Sequence, residues 1–125
     1  MSAAILQGVP ATTLDTDLWI DLPPRQYLRV LNLCRRLGAT IQANTVVDLS
    51  DGSTVNFLYH VDGLRSFETE YASALRMTWL GLRVAVLPLG RIYRSKAWVA
   101  RPKDLAHLPL LRQTMALRRR LQRRR

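Results

Sequence analysis

Leu14-Asp15-Thr16-Asp17-Leu18-Trp19-Ile20-Asp21 decides how the rest of this chain is read. Its alternation predicts a strand, with Leu14, Thr16, Leu18 and Ile20 on one side and Asp15, Asp17, Trp19 and Asp21 on the other. Three acids in a row repel one another, and the strand supplies no basic partner. A hard cation held between carboxylates and substrate phosphates offsets that repulsion, and Mg²⁺ is the usual one. Residues two apart stand about 6.6 Å apart along a strand, so Asp15 and Asp17 can converge on one ion. For D-x-D alone, a solvated strand face is the commoner meaning. Trp19 on the acidic side suits either stacking on a base or, more commonly, half-burial in a core.

Upstream, residues 1–7 read as the end of a helix stopped by Gly8 and Pro10. Such a helix is very short, and the pattern implies a missing upstream segment. Downstream, Pro23-Pro24 opens a helix on which Tyr27, Val30, Leu31, Cys34 and Leu37 recur at helical spacing, with Gly38 as its stop. Residues 45–49 and 54–62 read as antiparallel strands joined by the Asp51-Gly52 turn. Ser66 caps a short helix through about residue 74. Residues 77–80 and 82–87 give one or two more strands. Residues 90–100 form a helix broken at Arg101-Pro102, and a last helix over 103–121 is bent or restarted at Pro109. This order predicts an α+β fold, a small mixed sheet with helices packed on it.

The chain has 125 residues and a net charge of +10, with 48% hydrophobic and 22% charged residues. The length suits one domain with a proper core. Arg118, Arg119, Arg120, Arg123, Arg124 and Arg125 form a basic tail, yet the rest of the chain is basic too. Such a balance suits a polyanion, RNA or nucleotide phosphates; the tail alone serves solubility or a frayed helix end equally well. The single cysteine, Cys34, excludes an internal disulfide, fits a reducing cytoplasm, and lies on an apolar helix face as a core thiol would. There is no signal-peptide pattern and no apolar run of membrane-spanning length, so no membrane partner is expected. His60 and His107 show no metal-ligand spacing and read as a sheet residue and a helix-surface residue.

Gly8-Val9-Pro10, followed by Thr13, Asp15-x-Asp17-Leu18 and a helix, resembles the opening of the DNA polymerase β-like nucleotidyltransferases. The nearest branch is the small prokaryotic one, which includes abortive-infection and toxin-type members of toxin–antitoxin systems. Ser95-Lys96-Ala97-Trp98-Val99-Ala100-Arg101-Pro102-Lys103-Asp104-Leu105 is similar to that branch's Lys and Arg-x-Lys-Asp motifs. Val61-Asp62-Gly63-Leu64 with Phe67-Glu68 is similar to its middle. The resemblance covers most of residues 3–112. It implies a nucleotidyltransferase-like domain over 1–117 with residues 118–125 as a basic tail, truncated at the N-terminus.

The resemblance further implies that Asp15 and Asp17 hold Mg²⁺ against a nucleoside triphosphate, and that Lys96 serves as a point charge on it. Arg101 and Lys103 would contact phosphate or extend the basic surface. Asp104 would orient Lys96 or Arg101, or bind the nucleotide indirectly; a helix-start acid meeting the dipole is the plain alternative. Two features depart from the family pattern. The Gly-Gly or Gly-Ser phosphate grip would fall at Met1 and before it. The third carboxylate of many members corresponds to Asn56, which cannot act as a base. Two expectations follow. One is transfer of a nucleoside monophosphate to a hydroxyl of RNA, protein or a small molecule. The other is an inactive binding or regulatory module, as an oligomer that buries the surface of the missing helix.

Overall fold

The computed structural model describes residues 1–124. Its elements run α1 (Ser2–Leu6), β1 (Asp15–Trp19), α2 (Pro24–Arg36), β2 (Thr40–Ala43), β3 (Val46–Asp48), β4 (Thr54–Leu58), α3 (Phe67–Ala72), β5 (Leu75–Trp79), β6 (Leu82–Val86), α4 (Leu89–Val99) and α5 (Pro102–Arg123). The architecture is α+β. The chain divides into two compact units, residues 1–2 with 12–60, and residues 3–11 with 61 onward.

In the first unit a four-stranded mixed sheet has the order β1-β4-β3-β2. β1 runs parallel to β4, while β3 is antiparallel to both of its neighbours. Parallel neighbours need a crossover between them, and α2 opens that crossover. Tyr27 and Leu31 of α2 pack against Val47 and Phe57 of the sheet, the Tyr27 and Phe57 rings meeting edge to face at 5.5 Å. The Tyr27 hydroxyl donates to the Asn44 carbonyl. Cys34 is half-buried at the margin of this cluster.

Sequence reading has no counterpart for β2. Residues 40–43 (Thr-Ile-Gln-Ala) lack a run of strand-favouring side chains, and only pairing with β3 makes them a strand, with an irregularity between Ile41 and Ala43. The acidic strand is shorter than the alternation predicts: β1 covers Asp15–Trp19 at the sheet edge, Leu14 lies before it and is 73% exposed, and Leu18 is 41% exposed.

In the second unit Ser66 caps α3 by accepting from the Thr69 N–H. Glu70, buried on α3, accepts three bonds of 2.7–3.1 Å from the Arg91 guanidinium of α4. The Gln7 side chain, also buried, donates to the Ala3 and Leu87 carbonyls and accepts from the Leu89 N–H. That last bond satisfies an orphan donor in the first turn of α4, where Pro88 offers no capping side chain.

β5 and β6 form a hairpin through Leu80 and Gly81, whose φ angles are 51° and 78°. Positive φ at both turn positions matches the twist of the strands but crowds the Cβ of leucine. Leu80→Asn is therefore expected to stabilise the protein by about 1 kcal/mol, read as a higher urea midpoint.

Two further expectations are corrected here. α5 runs through Pro109 as one helix and does not restart there. Proline removes the bond to the Leu105 carbonyl, but Leu105 and Pro109 are both exposed, where solvent can replace it. His107, expected on the helix surface, is half-buried beside Lys96. The arginine run is helical through Arg123, and Arg125 lies outside the described residues. No described helix is long and apolar enough to cross a membrane.

Candidate functional site

The register of the first unit builds one polar sheet face. Asp15 stands beside Thr54, and Thr54 beside Asp48 of β3; one row along, Asp17 stands beside Asn56. Residues paired in register point to the same side. Val47, Val55 and Phe57 alternate toward α2, so Asp15, Asp17, Asn56, Thr54 and Asp48 take the opposite face.

Asp15 and Asp17 are exposed, and neither forms an ion pair among the described residues. Asn56 Nδ2 donates to Asp17 Oδ1 at 2.9 Å. The Asp15 backbone N–H donates to Thr13 Oγ1 at 3.1 Å, which holds the strand's entry without using the carboxylate. Trp19, half-buried at the other end, donates through Nε1 to the Tyr59 carbonyl at 3.3 Å.

Sequence reading missed Asp48. It falls in the expected strand 45–49 with no motif to single it out, yet it shares a row with Asp15 two strands away, about 9–10 Å across the sheet. Asp48 accepts from Thr54 Oγ1 at 3.0 Å and from the Gln42 side chain. Its oxygens are thus satisfied without an ion.

Lys96, Arg101 and Asp104 come together in the second unit, at the corner between α4 and α5. α4 ends with Ala100 in the left-handed region (φ 56°, ψ 33°), and Arg101 turns extended to start the next helix. This two-residue corner sets Asp104 at the third position of α5, facing back across the turn. Asp104 is 1% exposed. Its carboxylate accepts from the Arg101 backbone N–H at 3.2 Å, from Arg101 Nε at 2.8 Å and from Lys96 Nζ at 3.4 Å.

Lys96 Nζ also lies 3.2 Å from His107 Nδ1. An ammonium only donates, so Nδ1 accepts and the neutral imidazole carries its proton on Nε2. Burial pushes the Asp104 carboxyl upward, but the hydrogen bonds from Arg101 and the charge of Lys96 more than offset it and hold the group below the usual carboxylate range. His107 moves below its ordinary value because burial, and then the neighbouring Lys96 charge, disfavour the imidazolium.

No family model, curated protein or solved structure matches this chain. The site is thus read from its own chemistry. Among the described residues, no three His, Cys, Asp or Glu side chains gather as a metal cluster. What the first unit offers is a pair of exposed carboxylates at i and i+2 flanked by a neutral amide. Hard oxygen donors of this kind suit Mg²⁺, which keeps several waters and takes one or two carboxylates plus phosphate oxygens. The donor set fits that ion.

Proposed function

We propose that this chain is a Mg²⁺-dependent nucleotidyltransferase, with Asp15 and Asp17 as the carboxylates of its metal–nucleotide site. The observation that carries the reading is that both carboxylates share one exposed strand face with no cationic side chain among the described residues paired to either. A folded chain gains nothing from that arrangement unless water or a cation screens it. When bound, Mg²⁺ supplies charge neutralisation on the triphosphate and helps align the attacking and leaving oxygens.

In the transfer, an acceptor hydroxyl oxygen bonds to the α-phosphorus. The bond from that phosphorus to the α–β bridging oxygen breaks, pyrophosphate leaves, and the hydroxyl proton passes to solvent. Asp15 and Asp17 would hold the ion through their carboxylate oxygens, and the ion would supply the charge that the phosphates need. Within the second unit, Asp104 and His107 hold the Lys96 ammonium in place at the corner between α4 and α5.

A second reading, a nucleotide-binding or regulatory module without transfer, is favoured by Asn56. The position beside Asp17 carries an amide donor where a third carboxylate would serve as base or ligand.

Thermal unfolding with Mg²⁺ and each nucleoside triphosphate tests the binding site. A rise of several degrees in wild type that is lost in Asp15→Ala plus Asp17→Ala supports it, because a ligand at a hundredfold its Kd adds about 2.7 kcal/mol. No shift in wild type, or an equal shift in the double variant, rejects it. Release of pyrophosphate in the presence of RNA, protein or small-molecule acceptors then separates the enzyme from the binding module.

A further inference from the structure

The exposed side of α4 carries an open groove of about 660 Å³ lined by Gly90, Arg91, Tyr93, Arg94, Ala97 and Trp98. Trp98 is 70% exposed, an unusual position for so large an apolar ring. The residue is buttressed from behind. Gly63, at φ +79°, brings its backbone so close that a Cβ there would stand 2.7 Å from Trp98 Cβ. The same turn accepts Arg94 Nε on the Gly63 carbonyl at 3.0 Å and Ser95 Oγ on the Asp62 carbonyl at 2.8 Å. The turn thus anchors Arg94 and Ser95 and abuts Trp98 itself.

The charges on this face are arginines. The terminal amino groups of Arg94 make no hydrogen bond to a described residue. Arg112 of α5 donates to the Tyr93 hydroxyl at 2.7 Å and brings a second cation to the groove. Arg91 is paired with Glu70. No acidic residue lines the groove.

We propose that this face of α4 binds single-stranded nucleic acid, with an unpaired base stacked on Trp98 and the backbone phosphates held by Arg94 and Arg112. An aromatic platform beside guanidinium groups with no acidic partner among the described residues is the chemistry that such strands need. A duplex keeps its base faces stacked and cannot use the indole. A second copy docked face to face would set its own arginines against these, so like charges disfavour that occupant. The inference stands on α4 and does not depend on the acidic strand.

The test is fluorescence anisotropy with labelled oligouridylate and oligothymidylate of about twelve nucleotides. The buffer contains EDTA and no nucleotide, so failure of the metal site leaves the result untouched. Wild type is expected to bind both single strands more tightly than a duplex or inorganic polyphosphate. Trp98→Ala is expected to weaken binding roughly tenfold, and Trp98→Phe to retain most of it. Arg94→Ala is expected to reduce the slope of log affinity against log salt by about 0.7. Circular dichroism confirms that each variant is folded. Equal affinity of wild type and Trp98→Ala overturns the proposal, as does equal affinity for polyphosphate. A Trp98→Ala effect confined to oligomeric state also overturns it and assigns the face to a second copy.

Discussion

Asp104→Ala is expected to destabilise the protein by about 3 kcal/mol, lowering the melting temperature by roughly 10 °C. The carboxylate is almost wholly buried and ties together the end of α4 and the start of α5. Its removal leaves the Arg101 N–H without its capping acceptor. It also leaves Lys96, whose side chain is 15% exposed, with only a neutral imidazole for a partner among the described residues. Uncompensated charge is the larger of the two costs, because the cap alone is worth about 1 kcal/mol. Urea unfolding at neutral pH measures the loss. A change below 1 kcal/mol would show that the corner does not depend on this carboxylate.

The same cluster sets a pH dependence whose sign follows from the shifts. The Asp104 pKa is lowered in the folded protein, so the unfolded chain binds its proton first as pH falls. Its contribution is full above the unfolded value of about 3.9 and is lost as pH falls through the lower folded value. The stabilities of wild type and Asp104→Asn therefore converge in acid. The His107 pKa is also lowered, so its contribution is full above about 6.5 and begins to fall below it. His107→Gln is expected to flatten stability against pH just below 6.5 and to leave the more acidic loss in place.

Asn56→Asp is expected to give the second large change, and one whose sign depends on the cation. In the metal-free protein the substitution replaces a 2.9 Å amide donor to Asp17 with another carboxylate. The lost hydrogen bond and the new like-charge contact cost about 2 kcal/mol at neutral pH. Two carboxylates sharing a site raise the affinity of one for a proton, so the loss shrinks as pH falls into the carboxylate range. With millimolar Mg²⁺ the third carboxylate is expected to become a ligand and to raise affinity for the ion by about tenfold or more, since ligand charge sets affinity. Urea midpoints with and without Mg²⁺ read both halves. If Mg²⁺ stabilises Asn56→Asp no more than wild type, the face does not hold the ion.

The two groups of candidate residues were legible to different degrees. Asp15 and Asp17 needed only the period of a strand, because alternation alone puts i and i+2 on one side. Asp48 was not legible, because its membership of the same face comes from pairing with Thr54 across β4. The role of His107 was hidden as well. It lies eleven residues from Lys96, and only the tight corner at Ala100–Arg101 brings the two side chains to 3.2 Å. Gln7 was equally silent, since its partners Leu87 and Leu89 are some eighty positions away.

Local physics is written in the chain itself. The proline pair that opens α2, the Asp51-Gly52 turn, the Ser66 cap and the alternation of the acidic strand each follow from neighbours a few residues apart, and so does the α+β class. Tertiary structure alone decided that residues 40–43 are a strand, that Pro109 leaves α5 continuous, and that β1 lies at a sheet edge with Leu18 partly bare. Those outcomes depend on which distant backbone supplies a hydrogen bond and which surfaces water reaches. The energy of such contacts is held by pairs of residues brought together in space, and no window of consecutive residues contains both members.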